Sequence, residues 1–540
     1  MSSAAINLRF LHSFIAAFAV IFTISLTLGP APAQAQVTAY KQAVAVAASK
    51  DKALAQFYKA RDYKAIWTGI GSKSRQRRTA LLAALSSAST HGLPVKRYDP
   101  AQLKAKLKAA KSGANRGRME VEMSRIFLQY VNDIHSGVLV PSRIDSGMVR
   151  KVARWDRLKV LQAFEKSSAK GFMKKLAPNT PEYTRLLKEK LKLEKLLGRG
   201  GYGPKVGVKA LKVGAAGGHV VALRNRLTRM GYMRRSASQS YDGNLQKAVQ
   251  LFQLDHGLPT DGSAGPATMA QINKSAVSRL QSVVVALERE RWFSRERGKR
   301  HVLVNLTDFS AKIVDNGKVT FETRTVVGKN ISDRRSPEFS DVMEFLIINP
   351  SWNVPRSITV KEYLPMMKRN RNAVGHLQLI DSRGRKVSRG SVNFSQFNER
   401  TFPYRLKQPP SRGNALGLVK FMFPNKYNIY LHDTPSKSLF NRDVRAFSHG
   451  CIRLHKPFDF AYAILAKEVS NPQAFFQAKL KTGVEARVDL KKPVPVHLIY
   501  RTAISKPKGG MEYRRDVYGR DAKIFNALVK AGLVLNSVKG

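Results

Sequence analysis

Between Val37 and Leu197 apolar residues recur every three or four positions, as in LAQFYKARDYKAIW (54–67), TALLAALSSASTHGL (79–93) and EMSRIFLQYVNDIHSG (122–137), and this period predicts a run of amphipathic helices. Gly92 and Gly137 follow two of these stretches where helix C-caps are expected. The Lys-rich LLKEKLKLEKLLGRGG (186–201) reads as a further helix closed by glycines, and the Gly-rich text from Tyr202 to Val220 as a linker, so one helical domain is expected to end near residue 205. A shorter patterned segment follows, with Val220, Leu223, Leu227 and Met230 on one helical stripe and Leu245, Val249 and Phe252 on another.

After a helical SAVSRLQSVVVALERERW (275–292) the period changes to two. Alternating apolar positions flank Asn316-Gly317 across residues 301–328, the strongest short hairpin signal. MEFLIINP (343–350), LQLID (377–381), YNIYLH (427–432) and VPVHLIY (494–500) continue the strand character, so the domain reaching about Tyr500 is expected to be mainly β. Residues 356–420 interrupt it with helical TVKEYLPMMKRN and with proline, glycine and basic loop text; an insertion of that size in a compact domain is more often functional than idle, and here it is expected to cover a site.

A chain of 540 residues is too long for one core, and its 43% hydrophobic and 24% charged residues are those of a folded protein. The excess of 94 Lys and Arg over 37 Asp and Glu, a net +57, suits polyanionic partners: nucleic acid, anionic lipid or the polymers of a bacterial envelope. The N-terminus narrows this choice, because the apolar run after Arg9 ends in Ala33-Gln34-Ala35, a small-x-small cleavage signal. Cleavage after Ala35 and export to the periplasm are expected, with an uncleaved membrane anchor as the alternative, and no nucleic-acid partner. Anionic envelope polymers or a membrane surface remain as partners for the basic charge.

The pieces Gly231-Tyr232, Phe252-Gln253, His256-Gly257-Leu258 and Asp261-Gly262 resemble the peptidoglycan-binding domain of cell-wall enzymes over residues 211–275, which implies a three-helix module able to hold glycan. Each of these residues also suits packing and turns.

The chain has a single cysteine, Cys451, and no intramolecular disulfide is open to it. Most lone cysteines are inert apolar side chains. This one lies in RAFSHGCIRLH (445–455), with His432 at the end of an expected strand and KPFDFAYAILAKEV reading as a helix just after it. A helix N-terminus, an imidazolium and an arginine all lower a thiol pKa, and all three are expected at Cys451. Gly450 lets backbone approach a substrate, and the Gly450 and Cys451 amides are candidate oxyanion donors. His449, Arg453 and His455 have bland readings one by one, as loop or surface residues; beside the one cysteine they form a candidate site.

His432, fifteen intervening residues and Ser448-His449-Gly450-Cys451 resemble the signature of the L,D-transpeptidase family. Many members carry Asn two residues after the cysteine, whereas this chain has Arg453, as large scaffolded members do. The resemblance implies a multidomain α+β protein: a signal peptide (1–35), a helical scaffold (36–205), a peptidoglycan-binding-like domain (211–275), a mainly-β catalytic domain (298–502) with an inserted capping lid (356–420), and a C-terminal segment (503–540). It implies that Cys451 attacks the bond between residue three and D-Ala four of a peptidoglycan stem peptide, that an amine of a second stem resolves the thioester into a 3-3 cross-link, and that carbapenems acylate the cysteine. His432 is the implied base, His449 supports the loop by hydrogen bonds, Ser448 and Gly450 are counted among the catalytic-site residues of the signature, and Arg453 attracts a carboxylate or steadies the thiolate. No metal or organic cofactor is implied.

Rival readings keep the fold and change the acceptor, to water for an L,D-carboxypeptidase or to a lipoprotein lysine, or remove the chemistry and leave a noncatalytic wall-binding protein. Ser167-Ser168-Ala169-Lys170 and Lys481-Thr482-Gly483 match fragments of the serine penicillin-binding pattern, but Ser505 to Lys508 matches equally and no Ser-Asp-Asn accompanies them. No His-Glu-x-x-His or cysteine pair supports a metallopeptidase.

Overall fold

A computed structural model describes residues 38–293 and 297–535. The expected signal peptide lies outside the described residues; among those described, no helix is long and apolar enough to cross a membrane. The described chain divides into two compact units, and the stretch expected to be one helical domain is split between them: residues 38–78, 101–126 and 157–166 form the first, and all other described residues the second. The first unit is organised by a buried carboxylate. Glu120 accepts from the amides of Ile66 at 2.7 Å and Thr68 at 2.8 Å and from the Tyr58 hydroxyl at 3.1 Å, satisfying a turn whose backbone would otherwise be buried unpaired.

In the second unit, helix Pro181–Leu197 starts on the Thr180 side-chain cap and packs Leu186 and Leu193 against Leu280, Val283 and Leu287 of helix Ala276–Trp292. The same core takes Ile524 and Leu528 of helix Arg520–Lys530, so the C-terminal segment is an integral part of this unit. Helices Gly218–Met230, Gly243–Asp255 and Pro266–Ile272 bury the two expected stripes in one small core around Phe252. Gly231 ends the first of them at φ +89°, the left-handed C-cap that favours glycine. Gln253 of the expected motif is spent internally, accepting from the Gly262 amide at 2.9 Å and donating to Asp261 at 2.7 Å.

A nine-stranded mixed sheet follows, in the order Ala446–Ser448, Lys318–Gly328, Ile452–Leu454, Leu431–His432, Val419–Met422, Phe339–Ile348, Ala486–Ile499, Arg300–Asn305, Ser310–Asp315. The hairpin forms where expected: Asp315 pairs with Lys318 across Asn316 (φ +51°) and Gly317 (φ +80°), two left-handed residues as a type I′ turn requires. Alternate residues of the strands, including Val302, Val304, Leu346, Phe421, Leu431 and Ile452, fill one core with Phe460 and Ile464 of helix Pro457–Leu465.

The insertion is a small folded body with bounds that differ from expectation. It begins by Trp352, builds a four-stranded sheet of its own from Trp352–Asn353, Arg405–Gln408, Gln378–Ile380 and Lys386–Val387, and closes over a core of Ile358, Leu364, Met367, Phe394 and Phe402. LQLID therefore belongs to the insertion, and Val419–Met422, partly inside the expected 356–420, belongs to the main sheet. Strand periodicity does not report which sheet a strand joins.

Candidate active site

The catalytic-signature residues converge on a cavity of about 640 Å³ between the main sheet and the insertion. His432, Ser448, His449, Cys451 and Arg453 line it from the sheet; Trp352, Ile358, Glu362 and Tyr363 line it from the insertion. Parallel pairing of Leu431–His432 with Ile452–Leu454 sets the register, with His432 directly beside Arg453. Cys451 occupies the turn between strands Ala446–Ser448 and Ile452–Leu454. This corrects the expected helix N-terminus: the next helix begins only at Pro457, so Cys451 is not at its N-terminal turn.

The turn is held by hydroxyls. Ser448 Oγ donates to the Cys451 carbonyl at 2.6 Å and accepts from the Gly450 amide at 3.1 Å, so the Gly450 amide is engaged and is not a free oxyanion donor. No described residue accepts from the Cys451 amide, which leaves it as the candidate donor. Gly450 has φ +119°, a backbone conformation that favours glycine, and a Cβ there would also crowd Ile429 at 3.1 Å. Beneath the turn, Ser336 Oγ donates to the Gly450 carbonyl at 2.6 Å and accepts from the Gly328 amide at 2.9 Å, while the Tyr518 hydroxyl donates to the Gly328 carbonyl at 2.6 Å. A Cβ on Gly328 would sit 2.0 Å from the Arg334 carbonyl oxygen. Ser336 and Tyr518, the latter in the C-terminal segment, are loop supports that sequence reasoning missed.

Cys451 and His432 each meet a backbone carbonyl. The Cys451 thiol donates to the Asn428 carbonyl at 3.4 Å, and His432 Nδ1 donates to the Asp433 carbonyl. Asn428 has φ +54°, a strained non-glycine turn that aims its carbonyl at the thiol. Protein packed round the sulfur pushes the Cys451 thiol up to about 11, with the Tyr430 amide and hydroxyl and the Arg453 charge pulling the other way. Burial, followed by the Arg453 charge, pushes His432 down to about 3 against the opposing Asp433 and Leu416 carbonyls. Both shifts favour the uncharged forms of the resting pair, the opposite direction from a thiol prepared as thiolate. Tyr430, packed edge-to-face on His432 with ring centroids 5.6 Å apart, is a further site residue not anticipated.

His449 turns to the insertion. Its Nε2 meets Glu362 Oε1 at 2.8 Å, and the same oxygen accepts from Arg334 at 2.7 Å. One carboxylate therefore ties the motif loop and the loop before Ser336 to the insertion. His455 lies outside the cavity, beside Arg324 at 3.2 Å.

Residues 299–477 match the L,D-transpeptidase catalytic domain. Residues 216–272 match the "Putative peptidoglycan binding domain" and residues 52–191 the scaffold domain. A Haemophilus influenzae protein named "Putative L,D-transpeptidase" is 32% identical over 235 residues, 43% of this chain and 47% of that protein, so the match spans about half the relative's length. Solved L,D-transpeptidases from Xylanimonas cellulosilytica (16% identity, 54% of this chain and 98% of that chain, TM-score 0.17) and Stackebrandtia nassauensis (14% identity, 54% and 96%, TM-score 0.22) are also similar.

Buried histidines make the fold acid-sensitive. Burial pushes His91 and His497 down to about 4 and His432 to about 3. Each folded value lies below the unfolded value of about 6.5, so their contribution to stability is complete above about pH 6.5 and is lost as pH falls toward 4. Thermal melts are expected to shift steadily downward between pH 7 and 4; a flat profile over that range would contradict the assignment.

Proposed function

We propose that the protein is a peptidoglycan L,D-transpeptidase that forms 3-3 cross-links through a thioester on Cys451. The observation that carries this reading is the joint placement of Cys451, His432 and Arg453 in one cavity capped by the insertion, inside a domain of the L,D-transpeptidase family. Substrate entry displaces the Asn428 carbonyl contact of the thiol, while the Asp433 carbonyl keeps the Nδ1–H of His432 and leaves Nε2 to take the thiol proton as sulfur attacks the carbonyl carbon of stem residue three. The Cys451 amide takes the developing oxyanion. The C–N bond breaks, His432 returns its proton to the leaving D-Ala amine, and the acyl group stays on sulfur. An acceptor amine from a second stem then attacks the thioester; its proton passes through His432 to the departing thiolate, and a new amide remains. Arg453 faces the cavity with its Nε unpaired among the described residues and is placed to attract a stem carboxylate.

The reaction places the protein outside the cytoplasm, in keeping with the signal sequence read at residues 1–35. Peptidoglycan stems and glycan are the partners, with anionic envelope polymers as a further target of the +57 charge. The test is mass analysis of products after incubation with a purified disaccharide-tetrapeptide. A 3-3 dimer with released D-Ala is expected; tripeptide alone identifies a carboxypeptidase, and unchanged substrate overturns the enzymatic reading.

The insertion sets the choice of acceptor. Closure by Glu362 excludes water, which competes with the amine for the thioester. Glu362→Gln keeps the shape and removes the charge shared by His449 and Arg334, and the ratio of tripeptide to dimer is expected to rise several-fold; an unchanged ratio in a normally folded variant removes the insertion from acceptor choice.

A further inference from the structure

A second cavity, of about 400 Å³, lies far along the chain from the cysteine and draws on four segments: Tyr202 after the scaffold helix, Tyr232 and Phe252 of the peptidoglycan-binding module, Arg279 of helix Ala276–Trp292, and Lys506 and Tyr513 of the C-terminal hairpin. Its walls are aromatic, with Tyr232 edge-on to Phe252 at 5.2 Å. Two of its cations are matched: Lys506 donates to both oxygens of Asp255 at 2.7 and 2.8 Å, and Lys192 pairs with Glu189 at 3.6 Å. Arg279 is not matched in this way. Only 4% exposed, it donates to the Gln271 carbonyl and side chain and lies 4.5 Å over the Tyr513 ring, with no carboxylate partner among the described residues. The Tyr513 hydroxyl is likewise buried, in a residue 7% exposed, and has no hydrogen-bond partner among the described residues.

A buried guanidinium without a counter-charge and a buried hydroxyl without a partner both carry a desolvation cost that a ligand carboxylate would recover. Aromatic walls suit the apolar C–H faces of sugar rings. We infer that this cavity is a composite binding site for a muropeptide, with sugar against the tyrosines and a free stem carboxylate on Arg279 and Tyr513, and that the C-terminal hairpin completes it. The inference rests on the peptidoglycan reading above and adds a non-catalytic site that the module does not contain alone. Such a site holds glycan while the catalytic cavity works on a stem, raising the effective concentration of substrate.

The test uses the full chain carrying Cys451→Ala, which binds without turnover, and hydrogen–deuterium exchange with the purified disaccharide-tetrapeptide. Protection is expected in two places, around residues 427–453 and around residues 503–513. Tyr513→Phe removes a hydroxyl that bonds nothing in the protein, so folding is expected to be kept while the affinity read at 503–513 falls roughly fivefold; Arg279→Gln is expected to lower it by tenfold or more. Protection at 427–453 is expected to be unchanged by both. A disaccharide lacking the peptide is expected to protect 503–513 at least tenfold more weakly, and equal binding overturns the carboxylate assignment. Protection confined to 427–453, or protection at 503–513 indifferent to both substitutions, overturns the second site while leaving the proposed function intact. Absence of protection at both places overturns the two together.

Discussion

Cys451→Ala is expected to abolish D-Ala release from a disaccharide-tetrapeptide, a loss of more than about 10⁴-fold, because it removes the sulfur proposed to carry the acyl intermediate. Ser448, the nearest hydroxyl by sequence, is 2% exposed and commits its oxygen to the Cys451 carbonyl and the Gly450 amide. A carbapenem is expected to add its mass to the wild-type chain by the same attack and to leave Cys451→Ala unmodified. Folding gives little ambiguity, since alanine removes one sulfur atom from a cavity wall and leaves the backbone of the turn in place. Equal labelling of both proteins by mass spectrometry would move the nucleophile elsewhere.

The candidate site was legible where its geometry is local. Ser448, Gly450 and Cys451 act within one turn, and the Ser448 oxygen reaches both the others over two or three residues. The hairpin at Asn316-Gly317 is equally local. What the sequence hid depends on distance along the chain: Glu362 reaches His449 across 87 residues, and Tyr518 reaches Gly328 across 190. Neither contact leaves a periodic trace, and Glu362 sits in an insertion that reads only as a break between strands.

The missing helix dipole has a similar origin. The helix that was anticipated does form, but a three-residue strand, Ile452–Leu454, separates it from Cys451. Alternation over three residues is too short to recognise. The consequence is chemical, because without that helix end beside it the desolvation of sulfur is the largest influence and pushes the thiol upward. The split of the helical N-terminal region is also invisible in the pattern, since helix Gly113–Ser136 runs unbroken through the residue at which the two compact units divide.

The neutral resting pair changes what each histidine is expected to do. A base that is already protonated would stabilise the thiolate, and its removal would raise the thiol pKa. His432, held down to about 3 by burial, is uncharged at neutral pH, so His432→Ala deletes no charge from the resting site. Turnover is nevertheless expected to fall by roughly 10² to 10⁴, the usual contribution of a positioned base, because the proton has no other acceptor as sulfur attacks. The rate of iodoacetamide labelling of Cys451 in that variant is expected to keep its rise toward about pH 11, or to shift it downward if water enters the vacated space and relieves the burial that sets the value. Arg453→Gln is the variant expected to move the profile upward, since its cation is the one charge that lowers the thiol. His449→Ala leaves Glu362 to Arg334 alone and loosens the insertion; it is expected to lower turnover less than His432→Ala and to cost stability, about 1 kcal/mol for one exposed charged contact. Labelling rates from about pH 5 to 11 for the three variants, read beside their turnover, separate these roles. An upward shift in His432→Ala as large as that in Arg453→Gln would mean that the resting imidazole is charged after all, and a shift in His449→Ala alone would make the motif histidine the base.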